Sequence, residues 1–279
     1  MNAPAEAPPM RLTEIEGVEF DLHDGGSGEP VLFVHGGMRD ECYVILQEPA
    51  LASRYRLIHY HRRGWGRSTR AGLPLSISQQ AADCRAVMDW LGVERAHLAG
   101  QSYGGTILLQ FAVDYPERVH TLVLVEPALP SVLAESPEYQ EILAQAAPFL
   151  EAGETATGLD TFFQGLLGSN YAEIFHNTFP PGWFDRWVED SETVFHNDVP
   201  ALEAWKFTQE DAARITAPVL NMVGANTTPF YQATHETLQQ WIPHAESAVV
   251  PDTAHAVLGM NPKGAAGAMA DFFARRPMA

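Results

Sequence analysis

Short, mostly apolar runs recur along the chain at residues 31–34, 55–60, 97–99, 121–125, 218–223 and 248–250, with helical patterns between them. Runs of this length, apolar on both faces, suit strands buried inside a parallel sheet. The stretch 78–91 carries Cys84, Val87, Met88 and Leu91 at helical spacing, with Ser78 as the expected cap and Gly92 as the stop. Residues 104–114 and 229–241 are further expected helices. Such alternation predicts an α/β domain, a mostly parallel sheet flanked by helices.

The rhythm stops between about residues 127 and 215. Only short helical patterns occur there, broken by Pro130, Gly153, Gly168, the run Pro180-Pro181-Gly182 and Pro200. The expectation is an inserted helical cap over 127–215, with 11–126 and 216–279 forming the sheet-bearing core. The insertion is dense in aromatic residues, including Phe162, Phe163, Trp187, Phe195, Trp205 and Phe207. Most are expected to build the cap's own small core, and a minority to line an apolar pocket facing the sheet.

Composition narrows the functional classes. The 279 residues suffice for one large α/β domain with an insertion. Seventeen basic residues stand against 35 acidic ones, a formal charge of −18 that repels nucleic acid and anionic membrane surfaces alike. Two cysteines, Cys42 and Cys84, make no disulfide framework, and no Cys/His cluster suggests a metal. Residues 1–10 are rich in Ala and Pro and lack a basic start and an apolar stretch, so they read as a disordered lead-in and not a signal peptide. No stretch approaches the ~20 apolar residues of a membrane-spanning helix. A cytoplasmic location is the default expectation, and oligomeric state is open.

The candidate chemistry starts at Gly100-Gln101-Ser102-Tyr103-Gly104, directly after an apolar run. A serine between two glycines at a strand-to-helix turn has the form of a nucleophile elbow, because only glycine leaves room beside so sharp a bend. Three further landmarks lie along the chain: His35-Gly36-Gly37 after the first strong strand, the turn from Arg62 to Ser68, and His255 after the last strand. With these four landmarks the chain resembles a capped α/β-hydrolase over roughly residues 18–273.

That resemblance implies roles. Ser102 is the nucleophile and His255 the base that takes its proton. Main-chain N–H groups of Tyr103 and of Gly37, or alternatively Met38, form the oxyanion hole. The family usually has Gly before the base, where this chain has Ala254. The acid departs further: the usual place after strand 219–223 holds Gly224-Ala225-Asn226, and an Asn cannot stabilise an imidazolium. Glu126, 24 residues after Ser102 at the end of the next strand, matches the acid position of other capped members such as haloalkane dehalogenases. Asp252 is the second candidate, and a broken triad the third possibility.

A serine elbow excludes the alkyl-enzyme chemistry of relatives with an Asp nucleophile. The implied reaction is hydrolysis of a carboxylic ester, or a lactone or amide, through an acyl-enzyme on Ser102, with an apolar or aromatic small-molecule ester as substrate and no metal or organic cofactor. The same Ser/His pair also serves C–C bond hydrolases, cofactor-free haloperoxidases and hydroxynitrile lyases, and a non-catalytic binding protein on this scaffold is the remaining alternative.

Overall fold

The computed structural model describes residues 6–70, 72 and 74–278. Its centre is one sheet of eight strands: β1 (Arg11–Ile15), β2 (Val18–Gly26), β3 (Glu29–Val34), β4 (Tyr55–Tyr60), β5 (Ala96–Gln101), β6 (Val119–Val125), β7 (Val219–Gly224) and β8 (Glu246–Val250). They lie in the order β1-β2-β4-β3-β5-β6-β7-β8. From β4 to β8 the sheet is parallel, while β2 pairs antiparallel with both β1 and β4. The six apolar runs of the sequence are β3 to β8; those of β3 to β7 pack beneath helices on both faces, whereas β8, at the sheet edge, buries only Val250 fully and leaves Val249 exposed.

The first two strands escaped the sequence reading. Their residues alternate polar with apolar, and β1 sits at the sheet edge with only one buried face. A two-residue turn joins them, with φ of 51° at Glu16 and 79° at Gly17. Positive φ at both central positions is the type I′ geometry that matches the twist of a hairpin.

The expected helix at 78–91 runs Ile77–Trp90, and its cap is Ser76, not Ser78. Ser76 Oγ accepts the Gln79 N–H at 3.1 Å while Gln79 Oε1 accepts the Ser76 N–H at 2.8 Å. This reciprocal box satisfies two otherwise orphaned donors, which a cap at Ser78 could not do with Ile77 already buried in the helix. The other two expected helices run Tyr103–Asp114 and Pro229–Trp241.

Between β6 and β7 the chain forms helices only, from Pro130–Leu133 to Gln209–Ala212. Phe163, Tyr171, Phe175, Phe179, Trp183 and Trp187 pack together in this insertion. Trp205 and Phe207 do not join them; they stack on each other against the main core. Of the lead-in, residues 1–5 lie outside the described residues. Residues 6–10 have no regular secondary structure and lie against the body, where Gln47 Nε2 donates to Glu6 O and Arg67 Nη2 to Met10 O.

Three buried histidines, His35, His59 and His61, pack edge to face under the ends of β3 and β4, with ring centroids 5.6–6.1 Å apart. Burial pulls all three below the ordinary histidine range, and burial also lowers His97, to about 4. The unfolded chain takes up protons near pH 6.5 that the folded chain refuses, so stability is retained above that pH and lost below it. Each such histidine removes about 1.4 kcal/mol per pH unit in that range. Urea midpoints should fall steeply between pH 7 and pH 5, and His59→Phe should flatten the fall.

Candidate active site

Two central strands of the sheet bring the chemistry together. Because β3 pairs with β5, Val34 lies opposite Gly100, and the loops that leave these two strands emerge side by side. The crossovers diverge here, to β4 on one side and to β6 on the other, which is where a parallel sheet opens a crevice at its carboxyl ends.

Ser102 stands at the turn from β5 into helix Tyr103–Asp114 with φ 53° and ψ −123°, a backbone that L-residues rarely adopt. The strain is held by packing. A Cβ on Gly100 would stand 2.7 Å from the Gly104 carbonyl, and one on Gly104 would collide with the Val34 carbonyl. Hydrogen bonds to the neighbouring strand complete the clamp: the Ser102 N–H donates to Val125 O at 2.9 Å.

Ser102 Oγ lies 3.0 Å from His255 Nε2, and His255 Nδ1 lies 2.8 Å from Glu126 Oε2. Glu126 is 1% exposed and sits just past β6 with φ 44°. Its Oε1 accepts the Gly224 N–H at 2.7 Å, and its Oε2 also accepts the Thr227 hydroxyl at 2.8 Å. The end of β7 and the loop after it thus supply donors that hold a carboxylate coming from just past β6. Asn226 in that loop is exposed, and its N–H donates to Thr253 O. Asp252 is exposed as well and makes no hydrogen bond to His255. Since Nδ1 faces a carboxylate, it carries the proton, and Nε2 is free to accept from Ser102.

Gly37, Met38 and Tyr103 all border the cavity above Ser102. Tyr103 is the first residue of its helix, where main-chain N–H groups have no partner within the helix. The indole of Trp187, from the insertion, donates to Gly37 O at 2.8 Å and so fixes the other loop from above.

A model of the alpha/beta hydrolase fold matches residues 29–262, most of the chain. The chain belongs to the α/β-hydrolase family. Over 133 residues this chain is 36% identical to 2-hydroxymuconate semialdehyde hydrolase from Pseudomonas sp. (strain CF600), covering 46% of this chain and 47% of that protein. It spans under half the length of several curated relatives that it matches. Among solved structures, Est816, described as an N-acyl homoserine lactone degrading enzyme, superposes with a TM-score of 0.74 at 22% identity, over 95% of this chain and 100% of that one. Naproxen esterase (carboxylesterase NP) from Bacillus subtilis superposes with a TM-score of 0.75 at 18% identity, over 97% and 93%. At these identities the likeness carries the fold.

Around the elbow lie side chains that sequence reasoning passed over. The Tyr231 ring stacks on His255 at 3.6 Å between centroids and 11° between planes, which fixes the imidazole plane. Glu41, fully buried, accepts the Gly36 N–H at 2.6 Å and the Gln101 amide at 2.9 Å, while Gln101 Oε1 accepts the Leu258 N–H. One carboxylate and one amide thereby tie together the loop after β3, the elbow and the segment after His255. Burial pushes the Glu41 carboxyl up to about 8. The one signal in the sequence was a pair of acids, Asp40-Glu41, opening an otherwise apolar helix, Asp40–Ile45.

The cavity itself is mostly apolar, walled by Leu133, Leu159, Phe162, Phe163, Trp187 and Phe195 among others, and it carries no Lys or Arg. Its second carboxylate besides Glu41, Asp198, is engaged by Arg62 from behind. Among the described residues no group of three or more His, Cys, Asp or Glu could hold a metal ion, and no helix is long and apolar enough to cross a membrane.

Proposed function

We propose that this α/β hydrolase cleaves a neutral carboxylic ester, with lactones and amides as weaker candidates, through an acyl-enzyme on Ser102. The observation that carries the reading is the unbroken chain from Ser102 Oγ to His255 Nε2 and from His255 Nδ1 to Glu126, at 3.0 and 2.8 Å, opening into an apolar cavity. His255 takes the hydroxyl proton as Oγ attacks the carbonyl carbon. The oxyanion forms against the N–H groups of Tyr103 and Gly37, and collapse expels the alcohol, which leaves with the proton held by His255. Water, deprotonated by the same imidazole, then attacks the acyl carbon and restores Ser102. Glu126 keeps His255 in the tautomer that both half-reactions need.

The cavity favours a neutral, apolar acyl group. A carboxylate-bearing substrate would lose its hydration against apolar side chains, with no cation among the described lining residues to pair with it. The likeness to 2-hydroxymuconate semialdehyde hydrolase raises C–C bond hydrolysis as a second reading, and the same absence of cations weighs against it. A fluorophosphonate should add covalently to Ser102, read as a mass shift on the peptide containing it, and short-chain or aryl esters should turn over. Labelling without turnover of any ester, together with cleavage of a vinylogous diketone, would favour C–C hydrolysis. Absence of labelling in the folded protein would point to a binding protein.

A further inference from the structure

The turn after β4 begins with two arginines that play different parts. Arg63 opens the Arg-Gly-x-Gly-x-Ser stretch and pairs with Asp83 in a half-buried ion pair. Arg62, at the position just before that motif, turns inward, and its side chain is 1% exposed. Its Nε donates to His35 O at 3.2 Å. Its Nη1 donates to Gln80 Oε1 at 2.7 Å and Asp198 Oδ1 at 3.0 Å, and its Nη2 to Gly36 O at 3.0 Å and Asp198 Oδ2 at 2.7 Å. A guanidinium has five N–H donors in one plane, and here all five are used. The rings of Tyr103 and Trp65 lie 4.5 and 5.0 Å from its Cζ and restrict it further.

The effect falls on the peptide between Gly36 and Gly37. Gly36 O accepts from Arg62 Nη2 and also lies 2.9 Å from His35 Nδ1. The His35 tautomer follows from its other nitrogen: Nε2 lies 3.1 Å from the Arg62 main-chain N–H, which can only donate, so Nε2 accepts and Nδ1 carries the hydrogen. A trans peptide points its C=O and N–H in opposite directions. With the Gly36 carbonyl drawn to Arg62, the Gly37 N–H faces the other way. Neither glycine has a side chain to resist a flip, so the hydrogen bonds alone decide which end of this peptide faces the serine.

We propose that Arg62 is the positioning residue that holds the Gly36–Gly37 peptide with its N–H toward the reacting carbonyl, and that Asp198 of the helical insertion locks Arg62 in that pose. The inference rests on the acyl-transfer reading above. Released from Arg62, the peptide can turn its carbonyl toward the site, where it would repel the oxyanion it should stabilise. Asp198 sits in a π-turn, Val194–Asp198, and borders the cavity, so the wall that meets the acyl group also sets the donor.

The test compares two ligands across the wild type, Arg62→Lys and Asp198→Asn. A phenylalkyl boronic acid accepts Oγ at boron and becomes a tetrahedral anion that needs the oxyanion donors; a planar methyl ketone isostere of the ester, bound without addition, does not. Arg62→Lys keeps the charge but cannot serve Gly36 O, His35 O and Asp198 together. It should lower kcat about 100-fold and weaken the boronic acid in proportion, with KM and ketone affinity held within about threefold. Asp198→Asn should show the same pattern at about tenfold, and it carries the test should the lysine variant fail to fold. Arg63→Lys should change none of these values. The proposal is overturned when both variants bind the boronic acid as the wild type does, or when boronic acid and ketone weaken equally. A wild type that turns over esters while its variants behave normally sinks this inference alone; a wild type that does neither ester hydrolysis nor boronic acid binding sinks the hydrolase reading and this one with it.

Discussion

Ser102→Ala is expected to lower kcat for a chromogenic ester by about 10⁶-fold, the loss typical of removing the nucleophile of a Ser/His/acid set. Among the described residues of the cavity, the only other hydroxyls belong to tyrosines, which are poor substitutes for a serine alkoxide, so nothing replaces the lost oxygen. Binding should survive, because the apolar wall and the main-chain donors are untouched. KM is therefore expected to change far less than kcat, and a residual rate of about 10³–10⁴ over water should remain from the donors and from orientation. Single-turnover kinetics and intact mass after fluorophosphonate treatment check both parts. A variant that keeps a tenth of wild-type turnover would remove Ser102 from the mechanism.

The second large effect separates the competing acids. Glu126→Gln should reduce kcat by about 10⁴-fold, whereas Asn226→Ala and Asp252→Asn should stay within about twofold of wild type. The reason lies in the donors around Glu126. One of its oxygens accepts the Gly224 N–H, and the other accepts both the Thr227 hydroxyl and His255 Nδ1–H. A glutamine must aim its NH₂ at one of these groups. Aimed at Gly224, it sets donor against donor. Aimed at His255, it forces the proton onto Nε2, the nitrogen that has to accept from Ser102. Asn226 and Asp252 are exposed and make no hydrogen bond to the imidazole, so their replacement leaves its tautomer alone. A large loss in either of those variants, with Glu126→Gln nearly active, would reassign the acid.

The same residues show what a chain of letters can and cannot reveal. Strands β3 to β8 were legible because each carries a short, mostly apolar run, and the elbow was legible because close backbone approach demands glycine at fixed offsets. The hairpin β1–β2 was not, since a one-sided edge strand dilutes its pattern with polar residues. Ser76 was overlooked as a cap by two positions, a local matter that its partner Gln79 could have settled. Glu126 stood out by its place at a strand end and by the resemblance to other capped members, although sequence left Asp252, or a broken triad, as alternatives.

By itself, then, the sequence determined strands β3 to β8, the helices between them and a strand-free stretch after β6, because each depends on periodicity, and it marked Ser102 by the spacing of its glycines; His255 and Glu126 became candidates through the resemblance to the α/β-hydrolase family. Tertiary structure alone decided which carboxylate meets His255, how Glu41 and Gln101 bind three loops together, and why Arg62 faces Gly36. Those contacts join residues up to 157 positions apart, as between Gln101 and Leu258. The physical reason is that hydrogen-bond direction and burial arise only when strand ends converge, and no local pattern encodes the angle at which one loop meets another.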